Sequence, residues 1–297
     1  MKHKSDQSYK ADIIAVAKAA KVSPATVSRS FNHPEMVRPQ TLKRIEAAVA
    51  RLGYIRNRAA RAMHGRRSGT LGLIVPTMTN SIFSEVTQAF SDAADLAGFT
   101  ILVATHGYDL SREVSLLRKF LEHRVDGVAL IGLDHEEATY TLIDQQNVPV
   151  VAIWNFDAAS RVPCVGVDNA GAGRLAAEHL LELGHRDIGL AFPPTADNER
   201  ARDRMTGVLD ALEGAGVTTS DAWRTQAIYN VTLAKQAILD LLDGARMPSA
   251  LICGNDIIAQ ATPKPSDTSI RPAIARRSSD ATAVSSGNRN DCPAGSF

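Results

Sequence analysis

Residues 22–32 read Val-Ser-Pro-Ala-Thr-Val-Ser-Arg-Ser-Phe-Asn, a short helix with one face built for hydrogen bonding. Ser23 stands as an N-cap, and Pro24 takes the first helical position, where a missing N–H costs nothing. Val27 and Phe31, four residues apart, turn inward. Pro24, Ala25, Thr26, Ser28 and Arg29 are left on the exposed face. Short polar groups beside one cation suit nucleic acid. The Arg29 fork fits the two acceptors of a guanine edge, while Ser23, Thr26, Ser28 and Asn32 suit phosphate oxygens. Any one of them alone is equally an ordinary cap or surface residue. The spaced set points to DNA.

The elements that must hold this helix are visible on both sides of it. Ile13, Ile14, Val16, Ala17 and Ala20 carry helical spacing before it, and Asn32-His33-Pro34 ends it. A third helix starts near Pro39, with Leu42, Ile45, Val49 and Leu52 on one stripe and Gly53 as its stop. Three short helices with a tight turn after the first describe a helix-turn-helix domain over residues 11–56. The charge agrees. Residues 1–67 hold 15 Lys+Arg against 4 Asp+Glu, a net of +11, while the chain as a whole is only +1. A basic head on an acidic body is the electrostatic footprint of a nucleic-acid-binding module joined to something else.

From Thr70 the pattern changes to strands alternating with helices. Leu71-Gly72-Leu73-Ile74-Val75 is a continuous apolar run suited to a parallel strand buried on both faces. Strands are expected at 100–103, 127–131, 150–153, 165–167, 188–192, 225–228 and 250–253. Helices are expected at 83–96, 111–123, 136–146, 171–183, 203–215 and 232–242. This is a doubly wound α/β body over residues 70–260, in two lobes meeting near 155–165.

Several segments resemble the LacI/GalR family of bacterial transcriptional regulators. The Val22-Ser23-x-x-Thr26-Val27-Ser28-Arg29 core with Asn32 resembles its DNA-binding domain, and Gly53-Tyr54-Ile55-Arg56-Asn57-Arg58-Ala59-Ala60-Arg61 resembles its hinge. The likeness continues through Leu183-Gly184-His185-Arg186-Asp187-Ile188, Arg204-Met205-Thr206-Gly207 and Asn255-Asp256. Two positions depart: Lys21 stands where the family usually has glycine in the turn, and Arg56 where the hinge usually has proline, a change expected to loosen the start of the hinge. The resemblance implies a periplasmic-binding-protein-like effector and dimerisation body behind the hinge segment 57–69. It implies DNA contacts from Asn57, Ala60 and Met63, the last as an apolar wedge between base pairs in the minor groove. It implies double-stranded operator DNA, a small sugar-like effector and a second copy of the chain as partners, and a repressor as the function.

For the effector, the resemblance carries over Arg204 of the R-x-x-G motif as a donor fork, Tyr229 as a stacking aromatic and Asn255 as a polar contact. Asp168 is added from its strand-end position. Core packing is the competing role for Tyr229, and an ion pair with Asp203 or Asp210 for Arg204. A stand-alone sugar-binding protein of periplasmic type is the alternative, disfavoured by the basic head and by the absence of a signal peptide. An enzyme is a third reading. Gly171-Ala172-Gly173-Arg174-Leu175-Ala176 fits G-x-G-x-x-A after a strand, but no acidic residue closes the next strand to hold a ribose. His185 stands alone, and no triad, carboxylate pair or metal-ligand spacing accompanies it, so neither cofactor nor metal is expected.

Residues 261–297 break the pattern. Ile270, Ile274, Val284 and Phe297 are the only large apolar residues there, among seven Ser and four Pro. That is too few to bury a core, and the segment is expected to be a disordered, non-family tail. The family likeness stops at Gln260. Written with G- or C-ending codons, the frame starting at the third base of Gln260 reads Gly-Asp-Ala-Glu-Ala, which continues the preceding helix and points to a frameshifted product with an incomplete body. Cys164, Cys253 and Cys292 lie too far apart for a zinc cluster or a disulfide framework. No apolar run reaches the ~18–20 residues of a membrane helix. A cytoplasmic protein is expected.

Overall fold

The computed structural model describes residues 11–56, 67–243, 247–263 and 282–285. It divides into two compact units at Ser68/Gly69.

In the first unit, α1 (Ile13–Ala20), α2 (Pro24–Asn32) and α3 (Pro39–Leu52) pack around Val16, Ala17, Ala20, Val27, Ile45 and Ala48. Phe31, Val49, Leu52 and Tyr54 close the edge of this small core. Each helix stops for a local reason. Lys21 ends α1 in the left-handed region at φ 54°, with its N–H turned back to the carbonyls of Ala17 and Lys18. Gly53 does the same for α3 at φ 59°. Glycine adopts that conformation freely, whereas a lysine holds it against a steric penalty. The Lys21 departure from the family pattern is therefore accommodated by strain in the turn.

The second unit holds two parallel sheets. The first contains β1 (Thr70–Val75), β2 (Thr100–Thr105), β3 (Gly127–Ile131), β4 (Val150–Asn155) and β5 (Cys164–Val167), in the order β2-β1-β3-β4-β5. Helices α4 (Ser81–Leu96), α5 (Ser111–Glu122) and α6 (Glu137–Gln146) cover it. One core lies around Leu117, Phe120, Val128 and Leu130, another around Leu73, Val75, Phe83 and Ile131. Neighbouring residues of β1 and β3 thus feed opposite faces, which is why their sequences are apolar without alternation.

The second sheet contains β6 (Ile188–Phe192), β7 (Arg224–Gln226), β8 (Ala250–Cys253) and β9 (Thr282–Ser285), in the order β7-β6-β8-β9. Around it stand α7 (Asn169–Glu182), α8 (Glu199–Gly214), α9 (Val231–Leu242) and the short α10 (Asp256–Gln260). Helices α7 and α8 approach closely through two glycines. A Cβ on Gly173 would overlap the Arg204 carbonyl, and one on Gly207 the Ala170 carbonyl. Within the G-x-G-x-x-A run, Gly173 thus serves helix packing, while Gly171 lies against the Asp168 carboxylate that caps α7.

Three expectations need correction. The lobe boundary falls after β5, at Asp168, later than 155–165, because β5 pairs with β4 in register Ala152↔Cys164 to Asn155↔Val167. Helix α8 begins at Glu199, one turn before Asp203. The tail was expected to be free of strands, yet Thr282–Ser285 pairs in parallel with β8. Backbone pairing to a sheet edge needs no apolar face, so composition does not register it. Arg56, the last described residue before 57–66, is held within the head. Its guanidinium bonds to the Asn32 side-chain oxygen and sits 5.2 Å over the Phe31 ring. The remainder of 261–297 beyond Pro263, apart from β9, lies outside the described residues.

Candidate DNA-reading face and interlobe cavity

Helix α2 is built as a presenting helix. Ser23 in extended conformation accepts from the Thr26 N–H at 3.2 Å, and Pro24 follows as the first helical residue. Val27 is fully buried and anchors one side. Ser23, Pro24, Ala25 and Arg29 are exposed, with Thr26 and Ser28 half-buried. Among the described residues Arg29 has no carboxylate within ion-pair distance, so its donors are free for an acceptor from outside. Asn32 is placed differently. Its amide donates to the Ser28 carbonyl at 2.9 Å while its oxygen accepts from Arg56. Asn57, Ala60 and Met63 lie outside the described residues.

The carboxyl ends of the strands in both sheets converge on a cavity of about 360 Å³. This is where a doubly wound sheet binds small molecules, since strand ends and loops leave an open crevice. Two aromatic pairs wall it. Phe83 and Trp154 lie 5.6 Å apart, and Tyr108 and Tyr229 5.5 Å apart with planes tilted by 33°. Tyr108 and Trp154 both hold positive φ, 61° and 90°. Such strain in bulky residues persists only where the surroundings over-determine it, and it concentrates at ligand sites. Burial raises the Tyr108 hydroxyl above the usual tyrosine range, so it stays protonated and can donate.

Of the residues singled out from the sequence, Arg204, Tyr229 and Asn255 line the cavity and Asp168 does not. Asp168 caps α7, accepting from the Gly171 N–H at 2.8 Å, and its neighbour Asn169 faces the cavity instead. The Arg204 Nε donates to the Gly254 carbonyl at 3.0 Å, and its Nη1 bonds to the Asn169 side-chain oxygen. Neither Asp203 nor Asp210 pairs with it: Asp203 accepts from Asn155 at 2.9 Å. Burial pulls the Arg204 guanidinium below its usual range, since desolvation disfavours the charged form. Tyr229 accepts from the Asn198 amide at 3.0 Å, and Asn255 caps α10. The sequence reading missed Phe83, Tyr108, Trp154, Asn169 and Arg200 as cavity residues. Asn169 was one residue from Asp168. The aromatics gave no signal, because isolated aromatics in α/β sequences are more often core.

A helix-turn-helix unit and a two-lobed binding body define a ligand-controlled regulator. The family described as bacterial regulatory proteins, lacI family, matches residues 12–57. The one described as periplasmic binding proteins and sugar binding domain of LacI family matches residues 68–264. The chain is 27% identical over 247 residues to catabolite control protein A of Priestia megaterium, covering 83% of this chain and 74% of that protein. It is 28% identical over 251 residues to the HTH-type transcriptional repressor PurR of Proteus mirabilis, covering 84% and 73%. A LacI-family transcriptional regulator from Silicibacter pomeroyi superimposes with a TM-score of 0.75 at 28% identity, over 84% of this chain and 75% of that one. The lac repressor dimer bound to operator shares the fold, with a TM-score of 0.76 at 23% identity, over 93% and 82%. The chain belongs to the LacI family of transcriptional regulators. These relatives are regulators and not enzymes. Among the described residues no helix is long and apolar enough to cross a membrane.

Proposed function

We propose that this protein is an effector-controlled repressor that reads a pseudo-palindromic operator as a homodimer in the cytoplasm, without catalysis or cofactor. In this reading residues 11–56 bind DNA, 57–69 form the hinge and 70–260 form the effector and dimerisation body. Arg29 reads a base edge, Ser23, Thr26 and Ser28 meet phosphates around Pro24 and Ala25, and Asn57, Ala60 and Met63 act from the hinge. Asn32 contributes by holding Arg56 as well as by any phosphate contact. The effector is a small sugar-like metabolite seated between the aromatic pairs, with Arg204, Tyr229 and Asn255 supplying polar contacts. Its differential affinity for the two lobe arrangements shifts operator affinity.

The observation that carries the reading is the α2 face: a capped helix with Arg29 exposed and uncommitted, fixed by a buried Val27. An electrophoretic shift assay at two salt concentrations tests it. A regulator of this kind prefers its operator over random DNA and loses affinity steeply with salt, because phosphate contacts release counterions. Equal binding to all sequences, or none at low salt, would remove it.

A further inference from the structure

The first turn of α8 carries Glu199, Arg200, Arg202 and Asp203, and all four side chains bond across to the other lobe or into a pair that does. The Glu199 carboxylate accepts from the Leu133 N–H at 3.0 Å and holds Arg200, whose Nη1 lies 3.0 Å from each of its oxygens. Arg200 Nη1 also lies 3.5 Å from the Ile131 carbonyl oxygen. Arg202 pairs with Asp134 at 2.6 Å, and Asp203 accepts from Asn155 at 2.9 Å. Ile131, Leu133 and Asp134 stand at and just beyond the end of β3, and Asn155 at the end of β4.

The receiving loop is shaped for this contact. Gly132 sits at φ 91°, and a Cβ there would overlap both the Glu199 carboxylate and the Arg200 guanidinium. The Gly132 carbonyl lies 3.1 Å from His135 Nε2, and His135 Nδ1 lies 2.9 Å from the buried Glu113 carboxylate. Tyr140 donates to the Leu133 carbonyl at 2.9 Å. The loop is thus held rigidly from its own lobe while it receives α8 from the other.

We propose that the first turn of α8 is a charged latch closing the two lobes, seated on the 131–134 loop and coupled to the cavity through Arg200. Arg200 lines the cavity and holds Glu199, so a ligand acceptor beside it acts directly on the cross-lobe bond. Charge chemistry suits a latch. The Glu199–Arg200 pair is about 95% buried, and a buried ion pair gains little beyond its desolvation cost. Closure is consequently held with a small net free energy, and a modest ligand contact tips it. The proposal rests on the cavity lying between moving lobes. It does not depend on operator binding.

The test is a distance distribution between spin labels at Lys119→Cys on α5 and Glu213→Cys on α8, in the full chain with Cys164→Ser and Cys292→Ser. The parent protein should give one short distance. Glu199→Gln and Gly132→Ala should each raise the population of a longer one by about tenfold or more, with the circular dichroism spectrum kept. Asp134→Arg alone should do so more weakly, and Asp134→Arg with Arg202→Asp should restore the short distance. An unchanged distribution in Glu199→Gln and Gly132→Ala, both folded, would overturn the latch. Operator shift on the same samples separates the two readings: a parent protein with one short distance and no operator binding sinks the regulator and leaves the latch.

Discussion

Helices α2 and α8 both open with a polar turn, and the two turns have opposite fates. In α2, Ser23 caps the helix and Pro24 starts it, so the turn is satisfied locally and Arg29 is left to solvent. In α8, Asn198 makes no side-chain cap, and Glu199 and Arg200 are buried against the other lobe. Local satisfaction frees side chains for an outside partner. A turn without a local cap has its charges spent on tertiary partners. An arginine is thus left to solvent in one case and buried in an ion pair between the lobes in the other.

The strongest way to break this contrast is Arg200→Met. It leaves the Glu199 carboxylate buried with no countercharge and should lower the stability of the body by about 3–5 kcal/mol in urea unfolding. Adding Glu199→Leu should recover most of that loss, because a well-packed apolar replacement avoids the desolvation cost. If Arg200→Met alone leaves the midpoint unmoved, the α8 turn is no different from a solvated one. Arg29→Ala should leave unfolding alone and reduce operator affinity by about 1–3 kcal/mol, with little loss on random DNA, in a binding titration. Equal loss on both DNAs would make it a phosphate contact.

Smaller effects sharpen the comparison within the head. Ser23→Ala removes the α2 cap and should cost about 1 kcal/mol of head stability, read as an earlier loss of helical signal on heating. Lys21→Gly should do the reverse, adding up to about 1 kcal/mol by relieving the left-handed strain at φ 54°. A destabilising Lys21→Gly would mean the lysine side chain contributes more than its backbone costs.

Much of the fold is legible in the sequence. The strands of the first sheet were legible because parallel strands buried on both faces are uninterrupted apolar runs, as in Gly127–Ile131. Arg204, Tyr229 and Asn255 were reachable as cavity residues through family motifs, whereas Phe83, Tyr108 and Trp154 were not. The first turn of α8 is not legible in the sequence, for a physical reason. Asn198-Glu199-Arg200 has the composition of a solvated connection, and only its partners on the opposite lobe make burial affordable.

By itself the sequence determined what depends on near neighbours along the chain. That includes the Ser23-Pro24 helix start, the apolar stripe of α3, the strand–helix alternation and the basic head on an acidic body. Tertiary structure alone decided which polar groups face water and which face each other. Asp168 became a cap while Asn169 reached the cavity, Arg56 tied itself to Asn32, and Glu199 and Arg200 crossed between lobes. Hydrophobic periodicity is a local property of the chain, but whether a charge is hydrated or paired depends on groups tens of residues away that only folding brings within a few ångströms.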